Sequence, residues 1–172
     1  MLLKYLKSIN LECHRFPDET TQLKALCMDD KNDSIRKILG LSNYNCCDYL
    51  YLRKQRIAFI EISDLSKQKE DLSKNKTEKE LKKDIIKEIR FKALGSLVIL
   101  FKMPTKFTIK HEKLHKKELI LILVLCDKNK SSVHAFNHLS IDLQNALSPL
   151  IKSVKIIPFD FLSKEEIHNI IK

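Results

Sequence analysis

The apolar positions change period along the chain, and the changes divide it into elements. A helical spacing over Leu2 to Ile9 predicts a first helix, and a second starts near Asp18, after Pro17, with Leu23, Leu26 and Cys27 on one face. A third, short helix runs from an Asp33 or Ser34 cap to Leu39 and stops at Gly40, the residue type that tolerates a left-handed terminator. Two segments rich in apolar, β-branched and aromatic residues, Cys46 to Arg53 and Arg56 to Ser63, then predict a β-hairpin. After a polar loop over 64–76, Thr77 and Glu80 form a capping-box pattern. It opens a long helix carrying Leu81, Ile85, Ile89, Ala93, Leu97 and Leu100 inward and ending before Pro104.

The run ELILILVLC, Glu118 to Cys126, is apolar on both faces, which predicts a strand in the centre of a sheet. A helix from Ser132 to about Leu147 follows, with Phe136, Leu139, Leu143 and Leu147 inward. A strand from Val154 to Phe159 and a last helix capped by Ser163 and Glu166 complete the order. Helix, hairpin, helix, strand, helix, strand predicts an α/β fold: a three-layer αβα sandwich around a mixed sheet, with 1–172 forming a single domain.

The hairpin has a definite expected register. With its turn at Lys54-Gln55, Leu52 faces Ile57, Leu50 faces Phe59 and Asp48 faces Glu61. One face then carries Cys46, Asp48, Leu50, Leu52, Ile57, Phe59, Glu61 and Ser63, and the other Cys47, Tyr49, Tyr51, Ala58, Ile60 and Ile62. Two carboxylates opposed on an apolar face repel, and a divalent cation, Mg²⁺ or Mn²⁺, is one way to neutralise them. The alternative is that both lie at a solvated strand end, or that a shifted turn sends them to opposite faces.

The stretch CDYLYLRKQRIAFIEISD, residues 47–64, resembles the PD-(D/E)XK nuclease superfamily: an acid opens one strand and a second lies near the end of the next. The looser likeness in element order covers 18–126. The resemblance implies a restriction-endonuclease-like fold and a magnesium-dependent hydrolase acting on DNA or RNA. It implies Asp48 and Glu61 as metal ligands, assisted by Glu19 or Glu12 from the preceding helix. The family's lysine, two residues after the second acid, is replaced by Ser63 here. Catalysis then requires a substitute from the next helix, Lys92 or Lys87, or Arg90; Lys67 and Lys69 lie in the loop before it. Without one, the chain reads as a catalytically inactive nucleic-acid-binding or protein-interaction subunit of a larger assembly, for example a defence or restriction system.

Charge bears on the partner. The net charge is +10, and two segments carry nearly all of it: 67–92 with +4 and 102–117 with +5. A localised positive band suits a polyphosphate; a solvated lysine-rich surface is the plain alternative. With only Gly40 and Gly95, neither a P-loop nor a GxGxxG turn can be written. The apolar run Leu119 to Cys126 has about a third of the residues a membrane span needs, and the charged N-terminal stretch lacks the form of a secretory signal. Five cysteines, at 13, 27, 46, 47 and 126, without a CxxC pair, argue against a disulfide framework and for a reducing, cytoplasmic setting.

Three further signals compete. His111-Glu112-Lys113-Leu114-His115 matches HExxH formally, but its basic neighbours disfavour a cation and suggest a charged loop or β-connection. His134 and His138, one helical turn apart without a third ligand, read as polar packing. Cys46 and Cys47 read as core residues on opposite faces.

Overall fold

Six strands build one sheet in their order along the chain: β1 (Leu6–Asn10), β2 (Thr20–Cys27), β3 (Tyr49–Leu52), β4 (Arg56–Ser63), β5 (Glu118–Leu125) and β6 (Ser153–Pro158). The computed structural model describes residues 2–10, 20–30, 34–64, 76–107, 114, 116–126, 130–158 and 169–170. The pairings from β1 to β4 are antiparallel, and those of β4 with β5 and β5 with β6 are parallel. Lys54 and Gln55 close the β3–β4 hairpin, with the Arg53 N–H donating to the Arg56 carbonyl at 2.9 Å. Its register is the expected one, Leu50 against Phe59 and Leu52 against Ile57.

Parallel neighbours cannot be joined by a tight turn, so each parallel pair is connected through a helix. α2 (Glu78–Lys106) links β4 to β5 and α3 (Lys130–Leu147) links β5 to β6, after the short α1 (Ile35–Ile38). Because β4, β5 and β6 advance in one direction across the sheet, right-handed crossovers place α2 and α3 on the same face. Their apolar rows meet there. Leu81, Ile85, Ile89, Ala93, Leu97 and Leu100 of α2 and Leu139, Leu143 and Leu147 of α3 share a core with Leu50, Phe59, Leu121 and Leu123. The other face is a second core of Tyr49, Tyr51, Ala58, Ile60, Ile120, Ile122 and Val124, against which Ile170, from a helical turn at 169–170, packs. The chain is therefore an α/β protein with an open, mixed sheet whose central strands are buried on both sides, as the unbroken apolar run of β5 demands.

Local signals account for the helix ends. Thr77 caps α2 with a reciprocal capping box: its N–H donates to Glu80 Oε2 at 2.9 Å, and the Glu80 N–H donates to Thr77 Oγ1 at 3.4 Å. Ser34 stands at the N-cap of α1, and Gly40 adopts φ +69°, a conformation that favours glycine.

The first third of the chain departs from expectation. Leu2–Tyr5 is a 3-10 turn leading into β1, and the second expected helix is β2 over its described part. Leu23, Ala25 and Cys27 line one sheet face while Leu26 faces the other. A strand buried on both sides thus mimics a helical stripe at positions 23, 26 and 27, and pairing with β1 and β3 settles the matter. α2 continues through Pro104 to Lys106, since a proline in the last turn removes a single helical hydrogen bond. Cys46 and Cys47 share one core rather than opposite faces, because they precede β3 in irregular chain. Cys27, Cys46 and Cys47 are free, whereas Cys126 is disulfide-bonded, against the expectation of a chain without disulfides.

The loop over 65–75, Phe159, the capping residues Ser163 and Glu166, and the HExxH stretch apart from buried Leu114 lie outside the described residues. His138 is exposed, in keeping with a polar surface position. No helix among the described residues is long and apolar enough to cross a membrane.

Leu123, fully buried between α2 and the sheet, tests this core. Leu123→Ala is expected to destabilise the fold by about 2–5 kcal/mol, against under about 0.5 kcal/mol for Ile141→Ala on the exposed side of α3, by urea denaturation.

Candidate active site

The approach to β3 is pressed against α2 at one point. A Cβ on Gly95 would stand 1.9 Å from the Asn45 carbonyl oxygen, so no larger residue fits without displacing backbone. The next residue bonds the two elements together: buried Ser96 accepts the Cys47 N–H at 2.9 Å and donates to the Lys92 carbonyl at 2.8 Å. On the other side, the Asp48 carbonyl accepts the Met28 N–H at 2.8 Å. Asp48 is thus held at the entrance to β3, with Lys92 one helical turn before Ser96.

Continuing the hairpin register one step beyond Tyr49 and Ile60 brings Asp48 opposite Glu61. Asp48 Oδ2 accepts the Ile62 N–H at 2.8 Å, which ties its side chain to β4. Glu61 is 2% exposed, a costly place for a carboxylate. Its Oε1 accepts a charge-assisted hydrogen bond from Lys92 Nζ at 2.5 Å, while its buried Oε2 has no hydrogen-bond partner among the described residues. Glu88 stands 3.5 Å from the same ammonium, at the more exposed rim.

Three carboxylates around one ammonium leave the cluster with excess negative charge. Burial, and then the Asp48 charge, hold the Glu61 carboxyl well above its usual range, with Lys92 pulling the other way. Burial disfavours the Lys92 charge, but the Glu61 ion pair and hydrogen bond, followed by Asp48 and Glu88, outweigh it and raise the ammonium's proton affinity. Lys92 is a fixed cation. The thiols beside it are not nucleophiles: burial pushes Cys46 up to about 12 and Cys47 well above its usual range.

Of the residues singled out by sequence, the fold brings Asp48, Glu61 and Lys92 together. It leaves Lys87 and Arg90 exposed on the outer side of α2, away from the cluster. Ser63 is buried at the end of β4, where its carbonyl accepts the Cys126 N–H. Glu19, Glu12, Lys67 and Lys69 lie outside the described residues. Sequence reasoning missed Glu88, signalled only by its i,i+4 relation to Lys92, and the Gly95-Ser96 pair, signalled by a glycine inside a helical pattern. Among the described residues no three histidine, cysteine or acidic side chains group as a metal cage, so a cation here would have two carboxylates, Asp48 and Glu61. Against family models, curated proteins and solved structures the chain gives no match.

Two measurements check this geometry. Gly95→Ala is expected to lower stability by more than the gain of about 1 kcal/mol that alanine brings to a helix interior. It should also shift the Asp48 and Glu61 resonances in NMR spectra, whereas Leu94→Ala should leave them in place. The second check is pH. A carboxyl with a raised folded pKa favours the folded state below the unfolded value near 4.5, and that contribution is lost as pH rises through the folded value. Ionised Glu61 is therefore destabilising at neutral pH and above. Asp48→Asn keeps an oxygen for the Ile62 N–H and removes the repulsion, so the thermal midpoint should rise at pH 8, by about 2–4 °C per kcal/mol relieved. The gain should vanish as pH falls below the Glu61 titration.

Proposed function

We propose that this chain is a divalent-metal-dependent nuclease of PD-(D/E)XK type, hydrolysing phosphodiester bonds in DNA or RNA, with Lys92 in the role that Ser63 cannot fill. The observation that carries this reading is the Lys92 ammonium 2.5 Å from buried Glu61, on the face that Asp48 shares. A lysine reaching in from the following helix meets the requirement that the resemblance left open. The element order adds support: three antiparallel strands lead through a helical crossover to a parallel fourth, with the acids on the second and third strands of that set. We read the architecture accordingly as a three-layer, restriction-endonuclease-like sandwich.

The donor set fits a small, hard cation. Two carboxylates, one with a buried oxygen lacking a hydrogen-bond donor, suit Mg²⁺ or Mn²⁺, which commonly take one or two protein carboxylates and complete their shell with water and phosphate. Such an ion, when bound, supplies Lewis acidity and a more acidic water. The chain's own residues do the rest. Asp48 and Glu61 set the negative seat. Lys92, held protonated by that seat, presents hydrogen-bond donors that orient a water and oppose the charge gathering on a pentacovalent phosphorus. Glu88 shares the ammonium at the rim and steadies its direction. Exposed Lys79, Lys83 and Lys87 on α2 offer contacts to a nucleic-acid backbone. Buried free thiols at Cys27, Cys46 and Cys47 favour a reducing, cytoplasmic setting, and the Cys126 disulfide pulls the other way.

A second reading has its own observation. The Lys92–Glu61 pair neutralises the buried carboxylate without a metal, as an inactive binding subunit of a larger assembly would require. Incubation of the protein with single-stranded DNA, duplex DNA and RNA in Mn²⁺ and in Mg²⁺ separates the two. Cutting that needs metal, and that falls by about 100-fold or more in Asp48→Ala, Glu61→Ala and Lys92→Ala, is the expected result. Salt-sensitive binding with no cutting would establish the binding subunit instead.

A further inference from the structure

The outer side of α2 carries a second pattern. Phe91 is 56% exposed, Val98 39% and Phe101 44%, with half-buried Leu94 between the first two. Their positions, 91, 94, 98 and 101, follow the alternating three- and four-residue spacing of a heptad seam, the pattern by which one helix receives another. The same helix already buries its opposite side through Leu81, Ile85, Ile89, Ala93, Leu97 and Leu100. Core packing therefore does not explain this row. Large apolar side chains in line on a surface usually mark an interface.

We propose that this row is a docking seam for an amphipathic helix with acidic flanks, contributed by another protein. Charge chooses the occupant. Exposed Lys87, Arg90, Lys102 and Lys106 border the row, and from Lys87 onward Glu88 is the single acid of α2, spent on Lys92. A second copy docked across a two-fold axis would meet the same excess of positive charge, whereas acidic flanks meet their complement. The row spans ten residues from Phe91 to Phe101, about 15 Å of helix at 1.5 Å per residue, long enough for roughly three turns of a partner. The seam is separate from the carboxylate cluster, which lies on the sheet side of α2. It stands whether or not the chain cuts nucleic acid.

The test uses the full chain and labelled synthetic helices of about three heptads, with Leu at the a and d positions and either Glu or Lys at e and g. Anisotropy at low salt should show the Glu peptide binding at least about tenfold more tightly than the Lys peptide, with the preference shrinking as salt rises. Phe91→Ser combined with Val98→Ser should abolish binding without changing the circular dichroism spectrum, and Asp48→Ala should leave it intact. Reversing charge with Arg90→Glu and Lys102→Glu should transfer the preference to the Lys peptide. Equal binding of both peptides, or none, overturns the proposal. So does sedimentation showing a dimer that Phe91→Ser and Val98→Ser dissolve, which would assign the seam to a second copy. A loss of duplex-DNA binding in that same double variant would assign it to nucleic acid and overturn the proposal equally.

Discussion

A carboxylate sealed into an apolar sheet face needs a counter-charge that can reach it without exposing it to water. Glu61 obtains one from Lys92, and the geometry that permits this is the close seating of α2 on the approach to β3. Gly95 removes the side chain that would hold the two backbones apart, and Ser96 bonds across the gap to the Cys47 N–H. Lys92 lies one turn earlier on the same helix, so the contact that binds helix to strand also aims the ammonium. Asp48, immediately after Cys47, is carried into the same position by the same contact.

This arrangement sacrifices stability. Three carboxylates and one ammonium leave a surplus of negative charge in a place with little water, and the proton affinities of both Glu61 and Lys92 rise in response. Structural ion pairs gain nothing from such a surplus, because an extra buried like charge raises the desolvation cost without adding attraction. A site that takes up a cation does gain. Perturbed titration concentrated in one corner of a fold whose other acids are largely at the surface is the physical signature of chemistry or binding.

α2 serves two masters along its length. Its inner row completes the core, and its N-terminal half and flanks carry much of the chain's exposed positive charge. The two requirements coexist because 3.6 residues per turn separate inner and outer positions cleanly over 29 residues. Lys92 sits where they meet, apolar stem along the core edge and ammonium on the carboxylates.

Much of this was legible in the residues themselves. The capping box at Thr77, the inward row of α2, the doubly buried β5 and the hairpin register all follow from local chemistry and side-chain period, and so does the opposition of Asp48 and Glu61. β1 and β2 were not legible, because a strand with both faces buried carries no clean alternation, and its identity lies in hydrogen bonds to neighbours distant in sequence. Sequence narrowed the missing cation to Lys92, Lys87 or Arg90 on one helix; only the rotation of that helix on the sheet decided among them. That rotation is set by where two backbones touch, at Gly95 and Asn45, and a contact between residues fifty apart has no expression in local pattern.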